Sequence, residues 1–162
     1  MSYKQKLSKI TTFAFDVDGV LTDGSIILDS HGEMVRTMHT KDGYALQHAI
    51  KKGFNIVIIT GGNSNMVKKR LEGLGIKDVF LSAHHKIPIL EEYLSNKKIN
   101  ADEVLYMGDD IPDYLCLKFA GISTCPKDAC VEIREICDYI SHVDGGKGAV
   151  RDVIEQTLRV QR

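Results

Sequence analysis

The sequence predicts an α/β fold: a three-layer, doubly wound (Rossmann-like) sandwich around a mostly parallel sheet. Short apolar runs rich in β-branched residues alternate along the chain with longer segments of helical periodicity. Three of these runs, at 10–16, 54–60 and 103–107, end in polar side chains and glycines. In an open parallel sheet, ligands bind beyond the carboxyl ends of the strands. The pattern therefore predicts both the sheet and a ligand site at one of its edges.

Local signals set the expected bounds of the elements. A small β-hairpin flap, about 24–39, has a turn-prone centre at Asp29-Ser30-His31-Gly32. Asp42 is the expected N-cap of the next helix, and Gly53 lies where a helix commonly ends. The predicted elements are, in order, a strand at 10–16, the hairpin flap, a helix at 42–52, a strand at 54–60, a helix at 63–74 opened by Asn63 or Ser64, a strand at 78–82, a helix at 86–97, a strand at 103–107, a helix at 112–120, a strand at 122–125, a helix at about 128–137, a strand at 139–141 and a helix at 147–160.

Length and composition indicate one domain, 1–162, of an ordinary globular protein. The formal net charge of −1 argues against a nucleic-acid-binding protein, which normally has a basic excess. No apolar stretch reaches the roughly 20 residues of a membrane span, and no signal peptide is evident. The four cysteines lack metal-site spacing, so free thiols of a cytoplasmic protein are expected at residues 116, 125, 130 and 137.

The step Asp16-Val17-Asp18-Gly19 is the most informative part of the chain. Two charged groups at the end of a buried strand are costly unless a cation or a reaction compensates them. Residues i and i+2 of a strand point to the same side, so the two carboxylates could converge on one ion. An ordinary Asp-rich turn would explain the same residues.

Three later features complete a longer pattern. Thr60 follows the second long apolar run, Lys86 opens a predicted helix, and Gly108-Asp109-Asp110-Ile111-Pro112-Asp113 follows the run at 103–107. Each has an ordinary explanation by itself, as a strand-end hydroxyl, a solvated lysine and a turn. With Asp16 and Asp18, in this order, they resemble the four-part signature of the haloacid dehalogenase-like phosphohydrolases.

The resemblance implies Mg²⁺-dependent hydrolysis of a phosphomonoester through an aspartyl-phosphate. Asp16 would be the nucleophile and Asp18 the general acid and base. Thr60 would hydrogen-bond the phosphoryl oxygens, and Lys86 would stabilise their charge. The implied metal ligands are the Asp16 carboxylate, the Asp18 carbonyl and Asp109, with Asp110 and Asp113 nearby as further ligands or as groups that support the ligands.

Further segments extend the pattern nearly end to end: 16–24, the hairpin, Thr40-Lys41-Asp42-Gly43, 59–61, 67–70, 108–110 and 145–151. Neither gap between the motifs has room for a separate cap domain. On these segments the chain resembles a capless subfamily, the 3-deoxy-D-manno-octulosonate 8-phosphate (KDO 8-phosphate) phosphatases of lipopolysaccharide precursor synthesis. The resemblance implies a cytoplasmic homotetramer that acts on a sugar-acid phosphate and uses a neighbouring subunit to cover the site. The implied substrate contacts, besides Asp18 and Lys86, are His39, Thr40, Lys41, Asp42, Gly43, Gly61, Gly62 and Arg70.

Several alternatives stay open. Gly62 stands where the family commonly has a basic residue, so a nine-carbon sialic-acid-type 9-phosphate is an alternative substrate. Arg70 is either a carboxylate partner or a solvated helix residue. The predicted helix at 147–160, with the tail to 162, either helps close a neighbour's site or packs on its own sheet. A non-catalytic oligomerisation module would be expected to lose Asp16 or Asp18, and a receiver-type domain would lack Asp18, so their presence favours an enzyme.

Overall fold

A computed structural model describes residues 1–162 and confirms the predicted α/β fold. Six parallel strands form one sheet, a two-stranded antiparallel hairpin stands apart from it, and no separate cap domain is present. The elements are α1 (Tyr3–Leu7), β1 (Thr12–Phe15), β2 (Ile27–Leu28), β3 (Met34–Val35), α2 (Thr40–Lys51), β4 (Asn55–Ile59), α3 (Asn65–Gly73), β5 (Asp78–Phe80), α4 (Lys86–Lys97), β6 (Val104–Met107), α5 (Tyr114–Phe119), β7 (Ile122–Cys125), α6 (Val131–Arg134), β8 (Tyr139–Ile140) and α7 (Ala149–Val160).

The sheet has the strand order β5-β4-β1-β6-β7-β8 and separates two apolar cores. Phe13 and Phe15 of β1 face the core that α1, α2, α3 and α7 cover, while Ala14 between them faces the core under α4, α5 and α6. This alternation is the period of two that a strand imposes on its side chains. All four residues of β1 are buried, which explains the continuous apolar run in the sequence. None of the helices combines the length and apolar character that a membrane span needs.

Some predicted element bounds were wrong. Helix α2 begins at Thr40, and its N-cap is His39, whose Nδ1 accepts a hydrogen bond from the Lys41 N–H at 3.1 Å. The expected cap, Asp42, therefore lies within the first turn. Helix α6 is four residues long instead of about ten. It begins only at Val131, because a bond from the Cys130 N–H to the Asp109 carbonyl holds the preceding turn to the end of the sheet. Helix α1 was not predicted.

Asp42 links helix α2 to helix α7. It is 1% exposed, and its Oδ1 accepts a hydrogen bond from the Arg151 N–H in the first turn of α7 at 3.0 Å. Burial raises the pKa of the Asp42 carboxyl, although the N–H groups of Arg151 and Gly148 act to lower it. Helix α7 also buries Val150, Val153 and Ile154 in the larger core. The C-terminal helix thus packs on its own sheet.

The segment before α7 packs directly against the loop that follows β1. The Gly146 N–H donates to the Val20 carbonyl at 2.9 Å, and the Gly145 N–H donates to Asp128 Oδ1 at 3.0 Å. A Cβ atom on Gly145 would overlap the carbonyl oxygen of Gly19. Only a glycine allows these two backbones to lie so close together.

Gly145→Ala is expected to destabilise the protein by about 1–3 kcal/mol, as overpacking of a rigid contact does. Gly73→Ala is the matched control. Gly73 ends helix α3, and apart from its own chain neighbours and helix backbone no atom lies within 4 Å of the point that its Cβ would occupy, so alanine should stabilise by about 0.4–1 kcal/mol. Urea unfolding of both variants measures the free energies. Equal stability of Gly145→Ala and the parent protein would contradict the close contact.

Candidate active site

Three carboxylates meet at the carboxyl ends of the two central strands β1 and β6. Asp16 directly follows β1, while Asp109 and Asp113 lie in the segment after β6. One oxygen from each of the three lies within 4.8 Å of one from each of the others. Asp16 and Asp113 are buried, and Asp109 is partly exposed. This acidic cluster lies where the strand-end pattern in the sequence predicted a site.

Asp18 does not belong to the acidic cluster. Strand β1 ends at Phe15, and the chain then turns so tightly that the N–H groups of residues 20, 21 and 22 all donate to the Val17 carbonyl. The i, i+2 rule for strands no longer applies at this point, and the structure does not bring the Asp18 carboxylate into the acidic cluster. The Asp18 carboxylate is instead bound by Arg36.

Lys86 is the cation of the cluster. It opens helix α4, is 5% exposed, and places its Nζ 3.0 Å from Asp16 Oδ1 and 2.8 Å from Asp113 Oδ1. Asp113 Oδ1 also accepts a bond from the Tyr106 hydroxyl at 2.7 Å, and its Oδ2 accepts from the Asp109 N–H at 3.1 Å. Both oxygens of Asp113 are thus engaged within the protein, so this residue orients Lys86 and Asp109.

The charges in the cluster do not balance. Burial raises the pKa of Asp16, as does the nearby Asp113, while Lys86 opposes the shift. Burial and the Asp113 charge likewise raise the pKa of Asp109 to about 7. Burial acts to lower the pKa of Lys86, but the carboxylates of Asp16 and Asp113 outweigh it and raise that pKa. One ammonium group therefore faces three carboxyl groups, and without a further cation, burial and the neighbouring negative charge favour proton binding by Asp16 and Asp109.

This donor set fits a divalent cation. Hard ions such as Mg²⁺ prefer carboxylate oxygens, and a second positive charge would compensate the excess of negative charge. Asp16 and Asp109 are the members of the cluster best able to hold it, because the oxygens of Asp113 already have partners. Gly19 leaves room for this arrangement, since a Cβ atom there would overlap the Asp109 carboxylate. Asp110 is exposed, and its Oδ1 accepts from the Ile111 N–H at 2.8 Å.

A cavity of about 410 Å³, the catalytic cavity, opens onto the cluster. Thr60 follows β4 and is 3% exposed; its Oγ1 accepts from the Gly62 N–H at 3.2 Å. The predicted residues that line the catalytic cavity are Asp16, Asp18, Thr60, Gly61, Lys86, Asp109, Asp110 and Asp113.

A second cavity of about 310 Å³, the side cavity, is lined by Arg36, Thr40 and Arg70 together with apolar residues of the hairpin and α3. The predicted substrate contacts divide here. Thr40 and Arg70 line the side cavity, and Gly43 lies against the Arg70 guanidinium. His39 is the cap of α2, Lys41 is exposed, and Asp42 is buried against α7. The geometry gives no support to a substrate contact by the Asp42 side chain.

Two residues at the site were not predicted from the sequence. Arg36 follows β3 of the hairpin and binds both oxygens of Asp18, with Nε to Oδ1 at 2.7 Å and Nη2 to Oδ2 at 3.1 Å. Tyr106 lies in β6, and its buried hydroxyl donates to Asp113 Oδ1. The available signal was a tyrosine inside the predicted buried strand at 103–107, because a buried hydroxyl needs a hydrogen-bond partner. No spacing rule connects Arg36 with Asp18.

Sequence comparisons relate this chain to one family of known proteins. A family model described as haloacid dehalogenase-like hydrolase matches residues 42–126. The 3-deoxy-D-manno-octulosonate 8-phosphate phosphatase KdsC of Salmonella typhi is 33% identical over 156 residues, which cover 96% of this chain and 83% of that protein. The protein of the same name from Haemophilus influenzae is 30% identical over 158 residues, or 98% of this chain and 88% of that one.

Solved structures agree with the sequence relatives. The 3-deoxy-D-manno-octulosonate 8-phosphate phosphatase of Yersinia pestis matches with a TM-score of 0.95 at 30% identity, over 98% of this chain and 85% of that one. The enzyme of Moraxella catarrhalis, solved with a magnesium ion, a phosphate ion and a KDO molecule, matches with a TM-score of 0.94 at 37% identity, over 98% and 91% of the two chains. On these matches, the chain belongs to the haloacid dehalogenase-like hydrolases and, within them, to the family of the KDO 8-phosphate phosphatases.

Proposed function

We propose that this protein is a Mg²⁺-dependent phosphatase that hydrolyses KDO 8-phosphate to KDO and phosphate. The observation that carries the proposal is the ion pair of Asp16 with Lys86 beside Asp109, at the sheet edge where the fold binds ligands. The relative from Moraxella catarrhalis, whose structure holds magnesium, phosphate and KDO, is 37% identical and supports the choice of substrate and metal.

Asp16 is the proposed nucleophile. Its carboxylate oxygen attacks the phosphorus, the bond from phosphorus to the ester oxygen breaks, and an aspartyl-phosphate forms. Lys86 lies 3.0 Å from that carboxylate and stabilises the negative charge of the transferring group. The Thr60 hydroxyl and the N–H groups after β4 bind phosphoryl oxygens. When bound by Asp16, Asp109 and the Asp18 carbonyl, Mg²⁺ supplies further positive charge.

Asp18 is the proposed general acid and base. In the first step its proton goes to the departing ester oxygen, which keeps the electron pair of the broken bond. In the second step the Asp18 carboxylate takes a proton from water as the water oxygen attacks the aspartyl-phosphate. Phosphate leaves, and both carboxyl groups return to their starting state. The 36% exposure of the Asp18 side chain allows contact with substrate and water.

The side cavity is the proposed place of the sugar acid. Arg70 lines it, and a guanidinium group matches a planar carboxylate with two parallel hydrogen bonds. Gly62 has no side chain to contact the sugar where the family commonly has a basic residue, so a nine-carbon 9-phosphate is the competing substrate.

Self-association is part of the proposal. The hairpin exposes Ile27, Leu28 and Met34 although its strands have only two residues each. Exposed apolar side chains on so small a unit favour packing against other copies. We propose the homotetramer of the resemblance, with hairpins in contact, and a cytoplasmic location, which suits four free cysteines.

A phosphate-release assay across substrates tests the proposed function. With Mg²⁺, KDO 8-phosphate should have the highest kcat/KM, sialic-acid-type 9-phosphates a lower value, and hexose phosphates the lowest. EDTA should remove the activity and added Mg²⁺ should restore it. A preference for the nine-carbon ester would reassign the substrate, and activity that survives EDTA would contradict the metal requirement.

Asp16→Asn should lower kcat by about 10³-fold or more, because the amide cannot act as the nucleophile. Circular dichroism and thermal unfolding show whether the variant keeps its fold. Asp102→Asn serves as the control, since Asp102 is exposed at the opposite end of β6. Near-normal turnover by Asp16→Asn would exclude the proposed nucleophile.

Mg²⁺ binding should tighten as the pH rises through about 7, because the metal displaces protons held by Asp16 and Asp109.

The free energy of unfolding of the metal-free protein should change in the opposite direction and fall as the pH rises. The Asp109 pKa of about 7 in the fold exceeds its usual value of 3.8, so the folded state binds the extra proton and loses stability as the pH rises from 4 to 7. Calorimetric Mg²⁺ titrations and urea unfolding across this range measure both trends. Asp109→Asn should flatten the stability profile and Asp102→Asn should not.

A further inference from the structure

Arg36 carries a buried charge with a single ionic partner. Its side chain is 8% exposed, and its one ion pair is the two-point contact with Asp18. A third nitrogen, Nη1, donates to the Met34 carbonyl at 2.9 Å, which fixes the guanidinium to the hairpin. Buried arginines are ordered by such fork-shaped contacts, because both the charge and the geometry are then satisfied.

Asp18 depends on this contact for its orientation. Its side chain is 36% exposed, and its other side-chain hydrogen bond, from the Thr22 hydroxyl, is long at 3.5 Å. Gly62 leaves the space that the guanidinium uses, since a Cβ atom there would lie 3.2 Å from Arg36 Nη2. The same point is 3.6 Å from the Thr60 hydroxyl and 3.7 Å from Asp18 Oδ2, so the fork lies at the boundary of the catalytic cavity.

We propose that Arg36 is a positioning residue that holds the Asp18 carboxyl group in place for proton transfer, so that the hairpin takes part in catalysis. Each oxygen of Asp18 keeps a further lone pair while the fork is bound. One such lone pair holds the proton that passes to the ester oxygen in the first step, and the same lone pair accepts the proton from water in the second. The inference rests on the proposed function, because it concerns the acid and base of that reaction.

A direct contact of Arg36 with the substrate is the competing role. Arg36 lines the side cavity together with Arg70, where the carboxylate of a sugar acid would lie. The two roles differ in which esters need Arg36. A positioning role affects every ester whose leaving oxygen requires a proton, whereas a binding role affects only substrates that carry the sugar acid.

The test measures the hydrolysis of three phosphate esters by the parent protein and by the variant Arg36→Met. Glycerol 2-phosphate has an alkoxide leaving group and no carboxylate, p-nitrophenyl phosphate leaves without protonation, and KDO 8-phosphate has both the alkoxide and the acid. The quantity measured is kcat/KM, which covers the steps up to departure of the leaving group. For glycerol 2-phosphate it should fall roughly 10- to 100-fold, a part of the ~10²–10⁴ that a positioned acid contributes, and for p-nitrophenyl phosphate less than about threefold.

Further variants complete the design. Arg36→Lys keeps the charge without the fork and should recover part of the loss, which guards against poor folding of Arg36→Met. In an Asp18→Asn background, Arg36→Met should have little additional effect, because the two residues act as one unit. Arg134→Met, at an exposed arginine of α6, is the matched control.

The outcomes separate the possibilities. An equal fall for glycerol 2-phosphate and p-nitrophenyl phosphate would overturn the inference, since it would mean a general disturbance of the site. A fall confined to KDO 8-phosphate would also overturn it, in favour of direct binding. Absence of phosphate release from every ester by the parent protein would instead refute the proposed function, and the inference with it.

Discussion

The contact of Lys86 with Asp16 and Asp113 is the interaction on which the site depends. It joins the end of β1, the start of α4 and the turn after β6 through two distances of 3.0 and 2.8 Å. Removing one member of such a buried group leaves the others uncompensated, which costs far more than the pair contributes when intact. The three segments therefore hold one another in place. The candidate active site is therefore also a structural joint of the fold.

Close backbone contacts at glycines hold the loop after β1 in its position. Gly19 lets the Asp109 carboxylate lie against the loop after β1, and Gly145 brings the segment before α7 against the other side of that loop. The loop with the two aspartates is thus held from both sides. Asp42 in turn ties α7 to α2, so that the support reaches into the larger core.

The sequence allowed prediction of those parts that follow from periodicity and strand ends. Buried strands give continuous apolar runs, and parallel strands bring their ends to one edge, so Asp16, Thr60 and Asp109 could be placed together. The fork of Arg36 on Asp18 could not be foreseen, because it joins a hairpin to a turn through side-chain rotamers that no local pattern encodes. The prediction that Asp42 is the N-cap of α2 was wrong for a related reason. A carboxylate near a helix start reads as its cap, while the actual partner is the N-terminus of a helix more than a hundred residues later.

The strand order has a consequence for the order in which the protein can form. Strand β1 lies between β4 and β6, and both neighbours come later in the chain. During synthesis, the first strand and its aspartates therefore have no sheet partner until residues 55–59 have emerged, and only one until residues 104–107 follow. Non-local pairing of this kind is slow and leaves apolar strands exposed. The ribosome must deliver about two thirds of this chain before the carboxylates of Asp16, Asp109 and Asp113 can meet.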